Sequence, residues 1–359
     1  MYTSTILIIV VSLFLSACGS GVVTTVPPAA SVTPEPTTAL PDPATAIPQP
    51  TPTFTPVTVK VGMFPYSSFL PFYIAQEEGY YAEQGIIVEF VPFTSLVDMY
   101  AALAQGQLDI GGGTADISTL NIIAQDTGVK FVADKGYIDP AGCTYSAWVV
   151  RNDILATGQM DNLANLAGMK TTFTKASAFE YALDLLLKPV TLTSADLNVT
   201  DVPAPTRLEG LNNQSFDIAQ MGEPWVTRAV NAGNSSIWKS FNSYMPDFQF
   251  GVLLYGPTIT RQNPEVGNRF MVAYLKAVRQ YNEGKTDRNV ALMTALTQGS
   301  EAEAMQSCWL TFRSDGSINV QSILDIQQWG VEKGYLVRTL TESDFWDTQY
   351  IDYANGILK

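Results

Sequence analysis

The chain has 359 residues, with 20 Lys and Arg against 34 Asp and Glu, a formal charge of −14, three cysteines and no histidine. Lack of imidazole excludes a Ser-His-Asp triad, a Cys-His pair and histidine metal sites, and three cysteines cannot build a four-thiolate zinc site. The acidic balance repels phosphate backbones and argues against a nucleic-acid partner, while 46% hydrophobic residues suffice for a large core and the length suggests roughly two domains.

Ile6 to Leu15 is an apolar run too short for a bilayer, which needs ~20 residues, and it reads as the centre of a signal peptide over 1–17. Leu15-Ser16-Ala17-Cys18 follows at once and resembles the lipobox of bacterial lipoproteins, which predicts lipidation of Cys18. No Lys or Arg precedes the run, so only the α-amino group supplies the usual positive end. Residues 18–56 read as a Pro/Thr-rich tether. Ten of the 21 prolines fall between Pro27 and Pro56, and only Glu35 and Asp42 carry charge there. Such sequence stays extended at ~3.1 Å per residue and reaches at most roughly 100 Å. Cys143 and Cys308 remain outside the cytoplasm in this reading, where a disulfide is permitted; the sequence leaves open whether they pair.

From Val57 onward the pattern alternates. Val57 to Gly62 predicts a strand, Phe69 to Glu78 a helix capped by Gly79, Ile86 to Phe90 a strand, and Leu96 to Gln105 a helix with Leu96, Met99, Tyr100 and Leu103 on one face. Leu108 to Gly111 predicts a short third strand, Ile117 to Gln125 a helix and Val129 to Ala133 a fourth strand. A second cycle starts at Ala147–Arg151 and continues through Met169–Phe173, the helix Ser177–Leu187, Asn198–Val202 and Phe216–Gln220. Gly251–Tyr255 reads as a strand crossing back. Helices follow over 270–283, 289–296 and 318–333. This order implies α/β architecture with two parallel-type sheets, helices on both faces and two crossings. The predicted lobes are 57–146 with 255–359, and 147–254.

Several segments carry a resemblance. Val59-Lys60-Val61-Gly62 is followed by Pro71-Phe72-Tyr73-Ile74-Ala75-Gln76-Glu77-Glu78-Gly79-Tyr80-Tyr81. Then come Gly85-Ile86, Ala102-Leu103-Ala104-Gln105-Gly106-Gln107-Leu108-Asp109-Ile110 and Gly111-Gly112-Gly113-Thr114. Asp217-Ile218-Ala219 leads to Glu223-Pro224-Trp225. Together these resemble the substrate-binding proteins of ABC importers, in the branch that takes taurine, alkanesulfonates, nitrate, thiamine pyrimidines and riboflavin. The resemblance implies a two-lobed, type II-like periplasmic-binding-protein fold, no catalysis, no cofactor and no metal. It implies a small-molecule ligand and a membrane permease as partners, and a lipid-anchored place on the extracytoplasmic face of the cell membrane.

In open α/β sheets ligands sit outside the carboxyl ends of the strands, so the candidate ligand contacts lie in the loops there. They are Tyr66, Ser67, Ser68 and Phe69; Thr94 and Ser95; Gly112, Gly113 and Thr114; Ser177 and Phe179; and Glu223 and Trp225. Tyr145 and Trp148 join them near the first crossing, with Asp139 a weaker candidate. Helix N-termini offer free N–H donors and glycines admit a ligand to the backbone. Helix capping is the plainer role for the Ser and Thr residues, lobe packing for the aromatics, and an exposed or capping carboxylate for Glu223. Phe72, Tyr73, Tyr80 and Tyr81 sit at helix positions and read as core.

The loops hold one cation, Lys175, with Arg151 and Arg228 just beyond, so the sequence favours a flat heteroaromatic ligand over an anion. Within the resemblance that means riboflavin first and a thiamine pyrimidine next, with taurine, alkanesulfonate or nitrate as the alternative. Two rival classes remain. An enzyme that makes the thiamine pyrimidine on a related fold relies on a histidine and a cysteine-rich segment, which this chain lacks. A sensory or partner-binding lipoprotein predicts an exposed apolar patch in place of a cleft.

Overall fold

The computed structural model describes residues 54–359. The predicted signal peptide, Cys18 and the tether as far as residue 53 lie outside them. Phe54, assigned to the tether from sequence, instead lays its ring over the Arg269 guanidinium at 4.7 Å; the cation and the apolar guanidinium face give it a partner that proline-rich sequence does not reveal.

The chain opens with β1 (Val57–Met63), whose alternate residues Val59 and Val61 are buried. A 3-10 turn at Ser67–Phe69 leads into α1 (Leu70–Glu77), and Gly79 in the left-handed region (φ 75°) turns the chain into α2 (Tyr80–Glu83). Next come β2 (Ile86–Pro92), α3 (Leu96–Ala104), β3 (Ile110–Thr114), α4 (Ile117–Ala124) and β4 (Lys130–Asp134). Ser95 caps α3 through Asp98 N–H, and Asp116 closes a capping box on α4 with Thr119.

The chain then crosses to a second sheet with β5 (Ser146–Arg151), α5 (Asn152–Leu155), β6 (Lys170–Thr172), α6 (Ala178–Leu187) and β7 (Asn198–Thr200). It continues through α7 (Ala204–Asn212), β8 (Ile218–Gly222), α8 (Trp225–Asn231) and β9 (Ser235–Ser240). The return crossing ends in β10 (Gly251–Tyr255). After it come α9 (Pro264–Tyr281), α10 (Asp287–Thr297), α11 (Glu301–Gln306), α12 (Val320–Glu332), α13 (Glu342–Phe345) and α14 (Gln349–Ile357).

Two five-stranded sheets result, in the orders β2-β1-β3-β10-β4 and β7-β6-β8-β5-β9. Strand β1 runs parallel to β2 from Val57↔Ile86 to Met63↔Pro92. Each sheet departs from the parallel expectation in one strand. β10 runs antiparallel to both β3 and β4, and β5 antiparallel to both β8 and β9. In each case it is the first strand after a crossing, arriving from the far sheet in the opposite direction. Residues 251–254 therefore belong to the first sheet, not to the end of the second as the sequence boundary had it.

The third strand also lies later than predicted. The glycine run is strand interior: Gly111, Gly112 and Gly113 pair with Leu254, Leu253 and Val252 of β10. The structure adds the helices α7, α8, α11 and α14 and the polar strand β9 (SSIWKS) to the elements expected from sequence. The core is built from large rings: Phe72, Tyr81, Tyr255, Phe270, Tyr274 and Tyr350 under the first sheet's helices, and Trp148, Phe173 and Phe241 in the second half. On β5 the faces divide as the pleat requires, with Trp148 and Val150 in this main core and Ala147 and Val149 in a separate small cluster with Leu211, Phe216 and Val226.

The crossings lie side by side. Lys135 N–H donates to Gly251 O (3.1 Å), Gly251 N–H to Gly136 O (2.7 Å) and Ile138 N–H to Phe248 O (2.9 Å). Tyr137 bridges in turn to Thr311, and next to that strip a disulfide joins Cys143 to Cys308.

Candidate functional site

The carboxyl ends of the parallel strands converge on a cavity of about 310 Å³ between the two sheets. After β1 the chain supplies Phe64, Tyr66, Ser68 and Phe69; after β2, Thr94 to Val97; from β3 itself, Gly112, Gly113 and Thr114. The second half faces them with Thr174, Phe179, the stretch Asp201 to Ala204, Arg207 and the end of β8. The crossings complete the wall with Lys135, Tyr145, Phe250 and Gly251.

Two aromatic walls result. Phe64 lies 5.6 Å from Phe69 and 6.1 Å from Tyr66, centroid to centroid, on one side. On the other, Phe250 meets Tyr145 edge-on at 5.5 Å and Phe179 at 5.8 Å. Burial raises the phenol of Tyr66, against an opposing pull from Arg207, and pushes that of Tyr145 up to about 12. Both are neutral hydrogen-bonding groups at neutral pH.

Of the sequence candidates, Tyr66, Ser68, Phe69, Thr94, Ser95, Gly112, Gly113, Thr114, Tyr145 and Phe179 line this cavity. Five do not. Ser67 is buried and donates to Glu223 O (3.3 Å), tying the halves together. Trp148 is core, edge-on to Phe173, with its Nε1–H bonded to Tyr244 Oη at 2.9 Å. Ser177 caps α6, accepting Phe179 N–H at 3.1 Å. Glu223 is outside the cavity lining: Oε2 accepts Thr227 N–H (3.0 Å), and Oε1 accepts Thr227 Oγ1–H (2.9 Å) and Cys308 N–H (3.1 Å). Burial raises its carboxyl, against the pull of those donors. Trp225 opens α8 and takes the Arg228 guanidinium on its ring at 4.7 Å.

The weaker candidate Asp139 also looks elsewhere, accepting Ala141 N–H and Thr311 Oγ1–H. The cations weighed from sequence are committed or exposed: Arg151 pairs with Asp153 and Asp217, Arg228 with Glu303, and Lys175 faces solvent.

Two cavity cations carried no sequence signal. Arg207, 6% exposed, directs Nε to Val202 O (2.7 Å) and NH1 to Gln220 O and Oε1 (3.0 and 2.8 Å). Its NH2 has only long contacts, to Thr174 Oγ1 at 3.4 Å and to the half-exposed Asp201 at 3.5 Å. Lys135 is 4% exposed; its Nζ donates to Ser68 Oγ at 2.9 Å and sits 3.9 Å above the Phe69 ring. Among the described residues it makes no salt bridge. The neighbouring Asp134 carboxylate is taken up by Gln249, Gly136 and Arg313. Burial lowers the Lys135 amine to about 7, only partly opposed by Asp134.

The glycines make room for this arrangement. A Cβ on Gly112 would stand 2.5 Å from Lys135 Cε and 3.0 Å from the Phe69 ring, and one on Gly113 would collide with Tyr100 Oη. Tyr100 Oη in turn accepts Thr114 N–H (3.1 Å), and Thr114 Oγ1–H is given to Asp116 at 2.5 Å. Among the described residues no group of three acidic or thiol side chains is placed to hold a metal ion, and no helix is long and apolar enough to cross a membrane.

A pair of sheets joined by two crossings, with a ligand-sized cavity at their strand ends, defines the periplasmic-binding-protein fold, which solved structures share. The chain belongs to the NMT1-like family, which it matches over residues 53–295. It is similar in fold to the periplasmic nitrate-binding protein NrtA from Synechocystis PCC 6803, with a TM-score of 0.70, 14% identity and 85% of this chain and 89% of that one covered. A ligand-binding component of an ABC-type import system from Staphylococcus aureus, solved with zinc bound, gives 0.68, 15%, 83% and 98%. The alkanesulfonate-binding protein SsuA from Xanthomonas axonopodis pv. citri, bound to MOPS, gives 0.64, 14%, 82% and 99%. No curated protein matches the chain.

Proposed function

We propose that this protein is the extracytoplasmic solute-binding component of an ABC importer, anchored through Cys18 and its tether, and that it delivers a small organic anion to a membrane permease. The observation that carries the ligand class is the buried ammonium of Lys135, without a salt-bridge partner among the described residues, at an aromatic-walled cavity of about 310 Å³. Burying a charge costs free energy unless it is paired, so an anion that reaches Lys135 and the loosely held NH2 of Arg207 supplies what the site lacks. The rings accommodate a flat or apolar body. The import role is supported by the Staphylococcus aureus neighbour, and an anionic solute by the nitrate- and alkanesulfonate-binding neighbours. Capture in this reading is a shift between open and closed arrangements of the two halves about the paired crossings, with no bond made or broken.

The aromatic walls favour a second reading, riboflavin and after it a thiamine pyrimidine. A neutral ring meets the aromatic walls but leaves Lys135 without a counter-charge and Arg207 with only its long contact to Asp201, which moves the preference away from the heteroaromatic ligand read from sequence. Thermal unfolding against nitrate, taurine, benzenesulfonate, benzoate, riboflavin and an aminopyrimidine separates the readings. A ligand at 100 times its dissociation constant adds about 2.7 kcal/mol. Stabilisation by an organic anion is the expected result. Stabilisation by riboflavin or the pyrimidine alone selects the second reading, and no response to any member of the panel overturns solute binding by this cavity.

A further inference from the structure

We propose that Lys135 is the residue that makes the cavity select an anion, and that it takes up its proton together with the ligand. This rests on the solute-binding reading above. Nζ has three possible donors once protonated, and one is met, by Ser68 Oγ at 2.9 Å. Beside it lie the Phe69 face and, along the end of the side chain, Gly112 of β3, neither of which offers a carboxylate.

The titratable groups around it are all accounted for. Asp134, next in the chain, accepts from Gln249, Gly136 and Arg313. Asp116 behind Thr114 is held by Thr114 and Thr119. Tyr66, Tyr100 and Tyr145 are buried phenols that stay neutral well above neutral pH. From the second half, Arg207 adds positive charge; Asp201 lies 3.5 Å from it, and Glu223 is held by Thr227 and Cys308. A carboxylate, sulfonate or similar anion seated beside Nζ would be its first negative partner in the cavity.

Desolvation disfavours the ammonium and an adjacent anion restores it, so proton and ligand bind with positive coupling. The burial that lowers the free amine to about 7 puts the effect within ordinary working pH. Above that value, affinity for a permanent anion falls by about tenfold per pH unit until the liganded amine itself titrates. Below it, affinity is flat.

The test uses the full chain and benzenesulfonate, whose charge is constant over the range, in titrations from about pH 6 to about pH 9. Carbon-13 labelled lysine, with the Lys135 signal assigned by its loss in Lys135→Met, reports the amine directly. The expected results are a Lys135 midpoint near neutrality without ligand, a steep loss of benzenesulfonate affinity above it, and proton uptake on binding in buffers of different ionisation heat. Lys135→Met should lose the anion response while keeping its cooperative unfolding. Lys135→Arg, always charged, should bind with little pH dependence.

A Lys135 midpoint near 10, or equal benzenesulfonate affinity at both ends of the range, overturns the coupling and leaves solute binding standing. Riboflavin binding without any anion binding overturns anion selection and leaves the cavity to the heteroaromatic reading. A cavity that binds nothing in the panel overturns the binding reading, and the coupling with it.

Discussion

At the scale of single residues, Gly112 shows how a buried cation is accommodated. A methyl group there meets both the Lys135 stem and the Phe69 ring, so one of them must shift toward the cavity that both line. Gly112→Ala should cost about 1–3 kcal/mol by overpacking and should weaken benzenesulfonate binding by displacing the ammonium; chemical denaturation and ligand titration of the one variant read both effects. Glu223 makes the opposite case. With both its oxygens held by Thr227 and Cys308, Glu223→Gln should lower stability by about 1–3 kcal/mol and change ligand affinity little; a loss confined to affinity would restore it as a ligand contact.

Much of the cavity lining could be read from sequence, because residues just after strands are placed there by the α/β topology itself. Lys135 and Arg207 could not. Lys135 lies in no motif, and only the pairing of the two crossings sets it under β3. Arg207 points inward from a helix whose start at Ala204-Pro205 looks like a break in sequence. The glycine run was legible as special; it lies inside a strand and not in a loop, where it lines the cavity and clears space for Lys135, Phe69 and Tyr100.

At the scale of elements, the halves are braced on both flanks of the cavity. On one flank, Asp184 of α6 accepts Trp329 Nε1–H (2.8 Å) and Lys333 Nζ–H (2.7 Å) of α12 and its end, and Glu180 accepts Tyr335 Oη–H (3.0 Å). On the other, Arg228 of α8 donates twice to Glu303 of α11, at 2.9 and 2.7 Å, and the side-chain amides of Asn231 and Gln306 each donate a hydrogen bond to the other at 3.0 Å. Asp184→Ala leaves the buried Trp329 and the partly buried Lys333 donors without their acceptor and should cost about 1–3 kcal/mol. Hydrogen exchange should rise at α6 and α12 and stay unchanged at β1 and β3; uniform protection across all four would show that this brace holds nothing locally.

The βα alternation was legible because apolar period and glycine caps are local signals. The direction of β5 and β10 was not, since a strand's orientation depends on where the chain has come from and not on its own residues. The bracing helices were missed in part for the same reason: α8 and α11 are short and draw their stability from each other across the halves.

At the scale of the whole molecule, the buried amine leaves a mark on stability against pH. The folded-state value of about 7 lies below the ordinary 10.5. Below 7 both states carry the proton and the burial cost is complete. Between 7 and 10.5 the unfolded chain binds the proton and the folded one does not, so stability rises with pH, and above 10.5 the cost is gone. Lys135→Met removes that cost, so its stability advantage over the natural chain should be largest below about pH 7 and shrink toward about pH 10, as unfolding midpoints along a pH series will show. An advantage that is constant with pH would mean the amine is not desolvated as the geometry implies.

The Cys143–Cys308 bond acts at the same scale. It spans 165 residues of sequence, and removing it by reduction or by Cys308→Ala should cost about 2–5 kcal/mol. Every strand of the second sheet, and β10 with α9 to α11, lies inside the ring it closes. The first sheet is otherwise assembled from pieces interrupted by more than a hundred residues. Counted along covalent bonds, the route from β4 to β10 through the sulfurs, from 134 to 143 and then from 308 back to 255, is shorter than the route through the second sheet. Once oxidised, the unfolded chain begins with its long-range encounters across this bond shortened, so the oxidised protein should refold faster than the reduced one by virtue of its connectivity alone.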